Sequence, residues 1–139
     1  MFDLIVKQAN LADGRVVDVA VSGQKIVAVD GHIDGEAVQT IEGHGCLLTA
    51  PFIDAHFHLD STLSLGEPRL NQSGTLLEGI QIWNELKPDL TVESIKARAR
   101  RSCEWAIARG TLAIRSHVDI CDDRLLAVQA LLELREEMQ

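Results

Sequence analysis

The chain predicts an α/β fold: a β-rich leader followed by strands that alternate with helices. Three observations lead there. The first 48 residues break into short β-prone runs separated by Asp-Gly and Ser-Gly turns. A nearly unbroken apolar run, Cys46–Ile53, then leads into two histidines. Beyond it, helical periodicity alternates with a second β-prone run, and that order argues for βαβ units on a parallel sheet.

Leu4-Ile5-Val6 is the first β-prone run. Asp13-Gly14 turns the chain into Arg15–Val21, where Val17, Val19 and Val21 alternate with Val16, Asp18 and Ala20. That alternation suits a half-buried antiparallel strand. Ser22-Gly23 leads into Gln24–Val29, and Thr40–Gly43 reads as a further short strand. Residues 1–48 thus read as part of a small β-sandwich. Residues 49–139 read as a second, strand-and-helix domain.

The run ending at Ile53 is apolar on both faces, the mark of a buried parallel strand. A loop rich in Ser, Gly, Asn and Pro follows from Ser61 to Gly74. Leu76, Ile80, Trp83 and Leu86 keep near-helical spacing until Lys87-Pro88 stops them. Thr91 is an N-cap candidate with Glu93 in the first turn. Val92, Ile95, Ala99, Ser102 and Ala106 share one face of that helix, and Gly110 ends it. Thr111–His117 is the second strand. Asp122 or Asp123 is placed to cap a third helix, from Arg124 toward Met138. Trp83 and Trp105 are expected in the core, and His32 and His44 in exposed turns.

Composition narrows the function. Hydrophobic residues make up 46% and charged residues 24%, ordinary for a globular protein. The net charge of −8 argues against a nucleic-acid partner. The basic cluster Lys96, Arg98, Arg100 and Arg101 reads as a solvated helix face. Cys46, Cys103 and Cys121 are odd in number, without a CxxC pair, which fits a reducing cytoplasm. No signal peptide is apparent, and no apolar run suffices to span a membrane.

His56 and His58 carry the chemistry. At i and i+2 on a strand they point to the same side. Paired imidazoles at a strand's carboxyl end can grip one divalent ion. Taken alone, an HxH pair is weak evidence, since two exposed strand histidines arise by chance. His117, at the carboxyl end of the second strand, either lines a pocket or bonds a neighbouring carbonyl. Asp60 and Asp119 each follow a strand-end histidine by two residues. Each is either an acceptor behind a ligand or a cap, with the cap favoured for Asp119. The HxE and PCxxC patterns of the zinc nucleoside and base-editing deaminases are absent.

Pro51–His58, His58-Leu59-Asp60, Asn71–Ile80 and Arg115–Asp119 occur in an order that resembles the amidohydrolase superfamily, within it the cytosine deaminase branch. The resemblance covers most of the chain, loosely before Cys46. It implies that residues 49–139 are the first strands and helices of a (β/α)8 TIM-like barrel. It implies a metal-dependent hydrolase of cyclic C–N bonds, acting on cytosine or an analogue such as isocytosine or an amino-triazine. It makes His56 and His58 ligands of one iron or zinc ion, which lowers the pKa of a bound water toward neutrality. It also makes Leu76, whose backbone would help hold a pyrimidine, a substrate-side residue; His117 is a substrate-side candidate by its place at the strand end. A first-turn helix residue packing on the barrel is the competing reading of Leu76. Family members run to roughly 400 residues. The remaining ligands and the catalytic acid and base are therefore expected beyond Gln139, in a homo-oligomeric cytoplasmic enzyme. The competing expectation is a non-catalytic piece of a barrel stabilised by association.

Overall fold

The computed structural model describes residues 1–139, which divide into two compact units, Met1–Ala50 and Pro51–Gln139.

The first unit is a single four-stranded sheet of β1 (Phe2–Asn10), β2 (Val16–Ser22), β3 (Lys25–Asp30) and β4 (Ala37–Glu42). The spatial order is β3-β2-β1-β4. β2 runs antiparallel to both of its neighbours, while β1 and β4 are parallel. Because β2 is interior to the sheet, Val17, Asp18, Val19 and Ala20 are all buried, so the half-buried alternation expected there is not found. Asp18 tolerates burial because it satisfies two backbone donors. The β1–β2 register shifts between Val6 and Ala9, and Gln8 takes a left-handed φ of 54°. The Gln8 N–H stranded by this bulge donates to Asp18 Oδ1 at 2.9 Å, and the Ile33 N–H donates to Oδ2 at 3.1 Å. Ile5, Ala20 and Ile33 form the core, with Phe2, Ala28 and Ala37 against them. Gly43 is required by close approach: a Cβ there would lie 2.7 Å from the Lys7 carbonyl oxygen.

The second unit contains β5 (Phe52–Phe57), α1 (Leu76–Leu86), α2 (Val92–Ile107), β6 (Thr111–Ser116) and α3 (Leu126–Glu137). β5 starts at Phe52, near the end of the apolar run rather than at its beginning. The earlier residues serve the first unit: Leu48 N–H donates to the Asn10 carbonyl, and Leu47 bridges to Asn10. Pro51, which has no N–H, separates the two roles. β5 and β6 pair in parallel, each with one partner. Phe57 and Ile114 pack on a core of Leu59, Ala99 and Leu134. Phe52, Ile53 and Leu112 stay 64%, 72% and 63% exposed, so the doubly buried strand expected from the sequence is not realised within these residues.

The helices follow their local signals. Thr75 caps α1, its side chain accepting from the Glu78 N–H, and a one-turn 3-10 helix at Lys87–Asp89 closes it. Thr91 and Ser94 form a reciprocal capping box at α2. Ile95 and Ala99 bury one side of α2, against Ala130 and Leu134 of α3. Lys96 joins Glu133 and Glu137 at 3.0 Å each. α3 departs from expectation: its cap is Leu125, in a left-handed conformation with no side-chain hydrogen bond. Asp122 spends its carboxylate on Arg124 instead, accepting from the backbone N–H and the guanidinium. Trp105 lies outside the core where it was expected, being 45% exposed with the Arg101 guanidinium 5.3 Å from its ring centre. All three cysteines are free. No helix is long and apolar enough to cross a membrane.

Candidate metal centre and adjoining cavity

Parallel pairing puts the carboxyl ends of β5 and β6 side by side, the end where ligands bind in parallel α/β sheets. Phe57 stands opposite Ser116, and the His117 N–H donates to the Phe57 carbonyl at 2.7 Å. That register sets His117 beside both histidines of the HxH. The ring centres of His56 and His117 are 4.0 Å apart, stacked at 29°. His58 lies 5.6 Å from His56 and 5.7 Å from His117. All three rings are exposed.

Two hydrogen bonds hold the backbone in place. Asp54 Oδ1 accepts from the His56 N–H at 3.1 Å. Ser116 Oγ accepts from the Leu59 N–H at 3.1 Å, fastening the turn after His58 to the end of β6. Partial desolvation among its neighbours lowers the His117 pKa, and the adjacent His56 and His58 lower it further.

His58, Asp60, Leu76, Trp83 and Asp119 line a cavity of about 500 Å³, closed on another side by the loop that carries Arg69 and Asn71. The structure therefore brings Leu76 to the same cavity as His58, while His56 and His117 do not line it. Leu76 is the first residue of α1 and 79% exposed. The loop before it is bonded to itself. Asn71 Nδ2 donates to the Thr75 carbonyl, and the Gly74 N–H donates to Asn71 Oδ1. The hydroxyl and N–H of Ser73 both donate to Glu78 Oε2, and Arg69 bridges Glu78 and Glu85. The Ser73 hydroxyl, the Ser73 N–H and then Arg69 bring the Glu78 carboxyl down to about 2.

Two further residues hold the strand-end loops. Arg98, expected in a solvated face, instead turns inward and donates to the main-chain oxygens of Thr62 and Asp60. Its spacing on α2 did not distinguish it from its basic neighbours. Asp119 accepts from the Cys121 N–H, from the Trp83 indole at 2.9 Å and from Lys87 Nζ at 2.7 Å. Lys87 foremost, then the Cys121 N–H, hold its carboxyl far below the usual carboxylate range. Asp119 thus caps its own loop and also anchors α1.

The donor set suits a divalent cation in kind. Imidazoles gather at one strand end, with a buried carboxylate behind one of them. It is partial in number, since no three His, Cys, Asp or Glu side chains are arranged to hold an ion by themselves. A catalytic zinc site normally takes three protein ligands.

The chain belongs to the amidohydrolase family, whose model matches residues 39–136. It is similar to the 5-methylcytosine deaminase of Klebsiella pneumoniae, solved with 5-fluorocytosine bound. The identity is 32% and the TM-score 0.84, over 96% of this chain and 33% of that one. It is 28% identical to the N-isopropylammelide isopropyl amidohydrolase of Pseudomonas sp. strain ADP, over 99% of this chain and 36% of the relative. The N-isopropylammelide isopropylaminohydrolase structure from Burkholderia multivorans shares the fold, with a TM-score of 0.71 at 22% identity over 99% of this chain and 35% of that one. The chain spans about a third of the length of these relatives.

Proposed function

We propose that this chain supplies the first strands of a (β/α)8 barrel hydrolase that uses one iron or zinc ion to cleave a cyclic C–N substrate. The preferred substrate is cytosine or a close analogue such as 5-methylcytosine, isocytosine or an amino-triazine. The observation that carries the reading is the histidine cluster at the carboxyl ends of β5 and β6, whose His58 shares a cavity with Leu76. The likeness to a cytosine-type deaminase over 96% of the chain supports the substrate class.

His56 and His58 would hold the ion, whose chemistry is to acidify a water toward neutral pH. The chain's own residues do the rest of what falls to them. Asp54 and Ser116 fix the backbone around the ligands. Asn71, held by its bond to the Thr75 carbonyl, and Leu76 form a wall for a flat heterocycle, and Trp83 adds an apolar side. His117, next to His56, is a hydrogen-bonding group for the substrate edge. Additional ligands and the proton-transfer groups come from chain outside these residues, and the working enzyme is a homo-oligomer.

Ammonia release from cytosine, 5-methylcytosine and isocytosine, and amine release from N-isopropylammelide, are to be measured with iron or zinc added. Loss of metal and activity together in His56→Ala and His58→Ala is expected. Undiminished metal content in both variants would sink the ligand assignment. The exposed Phe52, Ile53 and Leu112 favour a second reading, a non-catalytic piece that lives by association. Intact mass separates the two, because the 139-residue mass in a preparation without activity selects the second.

A further inference from the structure

We propose that Asp60 is a positioning residue for His58: its buried carboxylate keeps the ring proton on Nδ1 and so presents Nε2 as the free donor for a divalent cation. The inference rests on the metal reading above. Asp60 is 1% exposed, yet its Oδ1 has no hydrogen-bond partner. His58 Nδ1 stands 3.6 Å from that oxygen, just beyond hydrogen-bond length.

The rest of the residue is already committed. The Asp119 N–H donates to Oδ2 at 2.8 Å, and Arg98 Nη2 donates to the Asp60 carbonyl at 3.3 Å. A loop brace would need only Oδ2. The buried, unused Oδ1 facing an imidazole is the feature that bracing leaves unexplained.

A neutral imidazole carries one proton, and an acceptor beside Nδ1 keeps it there. Nε2 is then left with its lone pair. Carboxylates behind ligating histidines fix tautomer and ring angle in this way. His56 lies differently, its ring stacked on His117. One carboxylate therefore sets both the loop after β5 and the loop after β6, through its two oxygens.

The test begins with the metal-free full chain at about pH 8, where imidazole is neutral. Long-range nitrogen–proton spectra, assigned with His58→Gln, are expected to place the His58 proton on Nδ1. In Asp60→Asn the amide oxygen can stay on the Asp119 N–H, which puts its NH₂ group against His58. The proton should move to Nε2, and cobalt(II) affinity should fall about 10- to 100-fold with an unchanged circular dichroism spectrum. A wild-type proton on Nε2, or an Asp60→Asn chain with the wild-type tautomer and cobalt affinity, would overturn the proposal. Equal cobalt binding by wild type and His56→Ala would instead count against the metal reading, and the tautomer would still decide the role of Asp60.

Discussion

Asp18 shows how one buried side chain can carry a sheet irregularity. Its carboxylate accepts from the N–H groups of Gln8 and Ile33, and the Gln8 bond in particular lowers its pKa from the usual 3.8. A group depressed in the folded state stabilises above its unfolded pKa, and that stability is lost as pH falls through the folded value. Urea midpoints measured from neutral pH downward should therefore drop below about pH 4. Asp18→Asn should flatten that drop while costing about 1–3 kcal/mol at neutral pH, because one of the two N–H groups loses its acceptor. At this scale His56 and His58 stand out as candidates by their spacing together with the apolar run before them. The chain hid Asp18, Ser116 and Arg98, whose roles depend on partners from 10 to more than 50 residues away.

The helices were the most legible elements, because their signals are local. Thr91, Ile95 and Ala99 stand where cap and apolar face were expected. Thr91→Ala should lower stability by about 1 kcal/mol, through loss of the capping box. Ile95→Ala should cost about 2–5 kcal/mol, since that side chain is fully buried against α1 and α3 residues. Thermal or urea unfolding followed at the helix band checks both. If the Ile95 loss is no larger than the Thr91 loss, the assigned core is wrong. The start of α3 was misread for a tertiary reason. Asp122 has a good capping residue type, but it is taken by Arg124, which also reaches the Lys87 carbonyl at 2.6 Å. The start of β5 was misread because an apolar run does not reveal which of two units its residues will serve.

For the molecule as a whole, the strand-and-helix unit shows apolar strand surface that its own helices do not cover. Phe52, Ile53 and Leu112 lie on strands with one partner each. Surface of that kind drives association unless further strands cover it. These 139 residues alone should sediment as a concentration-dependent oligomer, and Ile53→Lys combined with Leu112→Lys should shift them toward monomer. A wild-type chain that stays monomeric at every concentration would contradict this. The alternation of strands and helices was readable from the sequence. The missing cover was not, because the run at Cys46–Ile53 looks the same whether its partners lie near or far along the chain.

The two tryptophans occupy opposite environments, which gives the protein separable optical signals. Trp105 is open to water beside Arg101, so its emission should be red-shifted and readily quenched by acrylamide. Trp83 is half-buried, hydrogen-bonded to Asp119 and part of the wall of the cavity beside His58. Its emission should be bluer and shielded. In a Trp105→Phe chain, any light emitted comes from the cavity wall alone, and a change in its wavelength on adding a pyrimidine would follow occupancy without any turnover.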